Sequence, residues 1–270
     1  MKFTILGSKG FIGSNLIEFL KTKDCEILTP KISEITDENL GHVIYCIGVT
    51  SDFRDRPFDT VESHVSIVNN LIKTTNFESF LYLSSTRVYM NSSTTKEENP
   101  IEVQPDRFTE IYNISKIMGE SICLSSKKDN VRIARLSNVI GANFDSDNFL
   151  FSLIKEAIQK NKILLNTDLK SEKDYITIQD VVEILYKITL EGKQKIYNVA
   201  SGENILVKEI TDLLKKEIGC EIEITDNPTL NKFKIINIDK LKNEFNFKPK
   251  DIRNSIQDLV IKYRDRYSKL

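Results

Sequence analysis

KFTILGSKGFIGSNLIEFL, residues 2–20, is the stretch whose reading decides the fold. KFTIL is a short apolar run of strand type, and Ile12, Leu16, Ile17 and Leu20 fall on one face of the helix expected over Phe11 to Lys23. Gly7, Gly10 and Gly13 lie between and within them with the spacing G-x-x-G-x-x-G, not G-x-G-x-x-G. Two readings are open at this point. Such glycines let a strand turn tightly into a helix, and they also let backbone N–H groups and the positive end of a helix dipole approach a pyrophosphate.

Downstream, the same alternation repeats. CEIL, VIYCIG, SFLYLSS and VRIARLS read as strands, with helices expected over Val61 to Asn76 and Glu110 to Lys128. Strands alternating with helices predict right-handed βαβ units and an α/β fold with a doubly wound parallel sheet of Rossmann type. Further on come helices at Asn148 to Asn161, Ile178 to Leu190 and Val207 to Ile218, the runs KILLN, IYNVAS and EIEIT, and two Lys-rich helical segments ending at Leu270. No Pro/Gly/Ser-rich linker divides the chain, so a smaller α/β lobe is expected to interleave with the first. The expected division is 1–138 plus about 174–199 for the first domain, and about 139–173 plus 200–270 for the lobe.

With 270 residues the chain can bury about three quarters of its unfolded surface, and needs no staple. A net charge of −1 gives no field to attract nucleic acid or an anionic membrane, so an anionic ligand must be held locally. The cysteines Cys25, Cys46, Cys123 and Cys220 are dispersed and only His42 and His64 are present, so no metal site is expected. There is no signal-like N-terminus and no apolar run of ~18 residues, and a cytoplasmic location is expected.

Two further elements carry chemistry. Tyr112 and Lys116, in YNISK, are four residues apart and share a helix face. A Lys⁺ beside a phenol favours the phenolate and is expected to lower the Tyr pKa, readying it for proton exchange. In SFLYLSSTRVY, Ser84, Ser85 and Thr86 stand at the carboxyl end of a strand, where open parallel sheets bind ligands and where serines also simply cap loops.

Taken in order, GSKGFIGSNL, VIYCIGVTSD, HVSIVNNLI, FLYLSSTRVY, YNISK, VRIARLSNVIGAN, KDYITIQDVVEIL and IYNVASGENILVKEI resemble the extended short-chain dehydrogenase/reductases, the NAD-dependent epimerase/dehydratase family of nucleotide-sugar enzymes. The resemblance implies Ser85 as the hydroxyl that polarises the reacting oxygen, Tyr112 as acid/base, and Lys116 as the residue that lowers its pKa and holds the nicotinamide ribose. It implies cofactor contacts at Gly7, Gly10, Phe11, Ile12, Gly13, Cys46 and Gly48. Substrate contacts fall at Thr86, Asn138 and Lys173, the last two against the diphosphate.

Departures narrow the activity. Dehydratases of the family carry Asp-Glu where this chain has Thr86 and Arg87, so dehydration is disfavoured. His64 stands where relatives have Asn, as a packed helix residue or one near the cofactor. The second strand leads into Thr29, Pro30 and Lys31 with no carboxylate to repel a 2′-phosphate, and with Lys9 this favours NADP over NAD. The expected function is reduction of a nucleotide-linked keto-sugar. The alternatives are an epimerase with tightly held NAD, and a non-catalytic dinucleotide-binding scaffold or sensor. Relatives dimerise through the helices matching Val61 to Asn76 and Glu110 to Lys128, which makes a homodimer possible.

Overall fold

The computed structural model describes residues 1–36, 39–144, 146 and 148–267, so Leu270, the expected end of the last helix, lies outside the described residues. In chain order the elements are β1 (Lys2–Leu6), α1 (Phe11–Leu20), β2 (Glu26–Leu28), β3 (His42–Tyr45), α2 (Pro57–Val61), α3 (Ile67–Thr74), β4 (Ser79–Ser85) and α4 (Ile111–Ser125). They continue with β5 (Val131–Leu136), β6 (Asn138–Ile140), α5 (Phe149–Lys160), β7 (Lys162–Thr167), β8 (Glu172–Thr177), α6 (Ile178–Glu191) and β9 (Ile196–Val199). The last are β10 (Asn204–Leu206), α7 (Val207–Ile218), β11 (Glu221–Thr229), α8 (Asp239–Phe245) and α9 (Ile252–Tyr267).

Six parallel strands form one sheet in the order β2-β1-β3-β4-β5-β9. The chain leaves β1 for one edge and returns on the other side of it, so the carboxyl ends of β1 and β3 part at a topological switch point. Alternation along each strand sends side chains to opposite faces. Phe3, Ile5, Ile44, Leu81 and Leu83 pack under α1 and α6, whereas Val43, Tyr45, Phe80 and Tyr82 pack under α3 and α4. Helices on both faces make the sheet doubly wound, as the alternation of strands and helices predicts.

Beyond β5 a second core gathers Ile154, Ile163, Ile210, Leu214, Val260 and Tyr263 from α5, β7, α7 and α9. Two small sheets, β10-β8-β6 and β11-β7, belong to this end of the chain. Strands β6, β8 and β10 are not evident in the sequence: β6 and β10 span three residues each, and β8 is polar at several of its six positions, so alternation is too short to read.

One helix differs from expectation in a way that matters to the site. The segment expected to start at Val61 starts at Pro57, whose fixed φ suits a first helical turn, and it passes through a π-helical turn, Glu62–Ser66, before α3. A π turn leaves carbonyls without their usual partners. Tyr45 Oη donates to the Ser63 carbonyl at 2.6 Å and Tyr82 Oη to the His64 carbonyl at 3.1 Å, so hydroxyls from β3 and β4 satisfy the bulge.

Candidate active site

The three glycines of the turn differ in their surroundings. Gly7 has φ +88°, and a Cβ there would lie 2.8 Å from the Cys46 backbone, so only glycine lets the end of β1 pass that close to the end of β3. Gly13 presses against the Gly7 carbonyl, fixing α1 on the turn. Gly10 is exposed and is the N-cap of α1, with no side chain capping it and no acidic residue in the first turn. The helix therefore turns uncapped N–H groups and its positive dipole end toward the switch point. Lys9 is exposed beside it, Ile12 packs into the sheet core, and Phe11 meets Phe151 of α5 edge-on at 6.4 Å, tying the turn to the second core. Lys31 is also exposed, but its ammonium pairs with Glu34 at 3.3 Å.

Among the strand-end hydroxyls, Ser84 and Ser85 part company. Ser84 points into the core, donating to Glu120 Oε1 at 2.5 Å. The half-buried Ser85 Oγ accepts from the Arg87 backbone N–H at 3.2 Å, capping the short 3₁₀ turn that follows and leaving its own proton to give. Thr86 lines a cleft with Tyr89, Asn138, Asp174 and Phe233.

Tyr112 and Lys116 lie one turn apart on α4, as spacing requires, but their electrostatics differ from the expectation. Burial raises the Tyr112 pKa, and the groups opposing the rise are the Ser85 hydroxyl and then the Arg87 charge. Lys116 is not among them. Its side chain is only 5% exposed, its ammonium donates to the Leu83 carbonyl at 2.9 Å, and burial pulls its own pKa down to about 7 against the opposing charges of Glu120 and Cys46. A lysine that pays heavily in desolvation for its own charge is a weak source of charge for a neighbour.

His64 is brought here by the π turn. It is fully buried, its ring meets that of Tyr112 edge-on at 5.4 Å, and its Nδ1 lies 2.9 Å from Ser115 Oγ. Ser115 spends its proton on the Tyr112 carbonyl at 3.0 Å, so it accepts from His64 Nδ1–H. Burial, then the Lys116 charge, lowers the His64 pKa to about 2, so the ring is neutral. Nε2 has no hydrogen-bond partner, although the Val49 carbonyl on that side favours the charged ring slightly. A Cβ on the exposed Gly48 would come within 3.0 Å of Nε2 and 3.3 Å of Lys116 Nζ. His64 Nε2 and Lys116 Nζ thus close on the backbone of Gly48 at the end of β3. Cys46, just before it, is no nucleophile, since burial pushes its thiol up to about 12.

On the opposite wall, Asn138 Nδ2 donates to the Asp174 carbonyl at 2.8 Å. The neighbouring Lys173 lies over the rings of Phe149 and Phe233 at 5.1 and 5.7 Å, its pKa lowered by burial and then by the Arg87 charge. Asp174 holds the loop after β9 by accepting from Ser201 N and Oγ, Gly202 N and Glu203 N at 2.7–3.2 Å. Sequence reasoning assigned no site role to Arg87 or Asp174. The sign that could have drawn attention to Arg87 is a cation two residues beyond Ser85. Among the described residues there is no group of three or more side chains able to hold a metal, and no helix is long and apolar enough to cross a membrane.

The chain matches the model of the NAD dependent epimerase/dehydratase family over residues 3–200. It is similar to GDP-6-deoxy-D-mannose reductase of Pseudomonas aeruginosa, 26% identical over 254 residues that cover 83% of this chain and 82% of that one. It is also similar to UDP-arabinose 4-epimerase 1 of Arabidopsis thaliana, 24% identical over 66% of this chain and 48% of the relative. Among solved structures, RMD from Pseudomonas aeruginosa complexed with NADPH superposes with a TM-score of 0.80 at 23% identity, covering 98% of this chain and all of that one. A doubly wound sheet with an uncapped glycine turn at its switch point, matched across 198 consecutive residues by one family model, places this chain in the NAD dependent epimerase/dehydratase family.

Proposed function

We propose that this chain reduces the carbonyl of a nucleotide-linked keto-sugar with NADPH. One observation carries the reading: a phenol kept protonated by burial, Tyr112, faces a hydroxyl with a proton to give, Ser85, at the carboxyl end of the central strand β4. The likeness to a GDP-sugar reductase along most of both chains supports it.

The residues present fit a nicotinamide dinucleotide. Gly10 and the first turn of α1 would hold the pyrophosphate, and the Lys116 ammonium and the unpartnered His64 Nε2 beside Gly48 suit a ribose hydroxyl, which both accepts and donates. When bound, the cofactor supplies the hydride. Ser85 Oγ–H donates to the sugar carbonyl oxygen and Tyr112 Oη delivers its proton there as charge develops. Asn138 and Lys173 hold the diphosphate, Lys173 as a point charge rather than a fork. Thr86 and Arg87 offer no carboxylate beside Tyr112 to remove a second proton, which speaks against dehydration. Lys9, exposed and without an ion-pair partner among the described residues, is the residue that favours a 2′-phosphate, because Lys31 is engaged with Glu34.

The test is a panel of nucleotide-linked 4-keto-sugars and their alcohols with NADPH and NADH, following absorbance of the reduced cofactor together with product formation. Cofactor consumed in proportion to product, faster with NADPH, is the expected result. Product without consumption would make the chain an epimerase, and tight cofactor binding with no product from any sugar would make it a scaffold.

A further inference from the structure

Arg87 is a cation at the reacting end of the cleft with no carboxylate to pair with. Its guanidinium lies 5.6 Å from the centre of the Tyr112 ring and 5.2 Å from that of Phe53. Its Nη1 reaches only two neutral acceptors, the Thr109 carbonyl at 3.3 Å and Asn113 Oδ1 at 3.4 Å, both at the long end of hydrogen bonding. Among the described residues no carboxylate lies within ion-pair distance of it. Glu110 acts on it one residue removed, because Asn113 Nδ2 takes up both Glu110 oxygens at 3.2 Å while Asn113 Oδ1 faces Arg87. Burial works against the Arg87 cation, Tyr112 and Glu110 favour it, and Arg54 works against it by less, while Arg87 in turn works against the cation of Lys173. Like charges gathered at a partly buried wall cost stability until an anion meets them.

In the function proposed above the diphosphate is assigned to Asn138 and Lys173, which leaves Arg87 without a ligand group of its own. In a nucleotide-linked hexose the diphosphate is attached at C1, and a carbon reacting at Tyr112 on the far side of the ring brings its own neighbouring substituent to Arg87. We infer that the substrate carries a carboxylate on the sugar ring next to the reacting carbon, a nucleotide-linked uronic acid, which Arg87 grips through its planar fork. The inference rests on the nucleotide-sugar reading above and sharpens it. Ring faces of Phe53 and Tyr112 hold the fork flat, and the Asn113 contact steers Nη1, so Nε and Nη2 remain to meet two carboxylate oxygens side by side.

The experiment compares acid and neutral sugars on the same nucleotide, so the identity of the nucleotide cancels. Protein loaded with the oxidised cofactor is titrated calorimetrically with UDP-glucuronate against UDP-glucose and with GDP-mannuronate against GDP-mannose. Wild type, Arg87→Gln and Arg87→Lys are compared, with melting curves reporting whether each variant is folded. In the nucleotide series that binds, the acid should bind about tenfold or more tightly than its neutral partner. Arg87→Gln should abolish that preference while neutral-sugar binding moves less than about threefold, and Arg87→Lys should keep part of it. Neutral sugars binding as tightly as acids to wild type, or Arg87→Gln weakening both alike, would overturn the carboxylate and leave the nucleotide-sugar reading standing. Binding of no nucleotide sugar by folded, cofactor-loaded protein would overturn both.

Discussion

Arg135 on β5 and Glu120 on α4 form an ion pair at 2.6 Å with side chains 3% and 4% exposed, directly behind the candidate site. Burial is the largest single influence and opposes the Arg135 charge, but the hydrogen bonds and charge of Glu120 together with Tyr89 outweigh it and hold the pKa above the ordinary value. Ser84 donates to Glu120, Arg135 Nη1 to Tyr89 Oη at 2.5 Å, and Tyr89 Oη to Asn198 Oδ1 at 2.9 Å, so the network ties β4, α4, β5 and β9 together. Removing one partner strands a buried charge. Arg135→Met or Glu120→Gln should each cost about 3–5 kcal/mol in urea unfolding, and the double change to apolar residues should recover most of it. Losses under about 1 kcal/mol would mean that the pair is not buried as described.

Gly119 lets α4 touch the π turn. A Cβ there would collide with the His64 carbonyl and the Tyr82 hydroxyl that bonds it. Gly119→Ala, which elsewhere in a helix would stabilise, should instead lower stability by about 1–3 kcal/mol and weaken cofactor binding as His64 is displaced. Differential scanning calorimetry and a cofactor titration on the same sample check both halves.

Lys116 is expected to trade stability for function. Its pKa falls from 10.5 in the unfolded chain to about 7 in the folded one. Between those values the unfolded chain holds more protons, so this group's contribution improves as pH rises from 7 toward 10.5, and its full penalty stands below 7. Lys116→Met should therefore raise stability at pH 6–7 by on the order of a few kcal/mol, at about 1.4 kcal/mol per pKa unit and less about 1 kcal/mol for the orphaned Leu83 carbonyl. The gain should shrink toward pH 10, and cofactor binding should weaken throughout. A stability difference that does not change with pH would contradict this account.

With its pKa raised, Tyr112 keeps its proton through neutral pH. The Tyr112 proton should therefore not limit reduction there and should cost rate only in alkali, while the reverse oxidation should rise as pH increases. Tyr112→Phe should lower turnover by about 10²–10⁴ and leave the cofactor dissociation constant nearly unchanged. Rate–pH profiles in both directions, with a fluorescence titration of the variant, test this.

Local patterns made much of the site legible. Tyr112 and Lys116 share a face because i and i+4 always do in a helix, and Gly7 and Gly13 mark a turn because only that residue tolerates the close approaches there. The sign of the Tyr112 shift was not legible, because it depends on how deeply tertiary packing buries the phenol and the ammonium. Similarly, Lys31 is set apart from Lys9 by the fold of the segment up to Glu34, which brings a carboxylate to one and not the other.

The sequence by itself determined the doubly wound sheet and the order of its strands and helices, since periodicity and turn chemistry act over a few residues at a time. It also put Tyr112 and Lys116 on one helix face and three hydroxyls, Ser84, Ser85 and Thr86, at the end of β4, and packing then turned Ser84 into the core. Only the tertiary structure decided that a π turn, held by hydroxyls from β3 and β4, swings His64 against Tyr112, and that Arg87 lies unpaired beside the same ring. Those placements arise from contacts between segments 18 to 51 residues apart, and burial and charge at such contacts belong to the packed molecule rather than to any stretch of its chain.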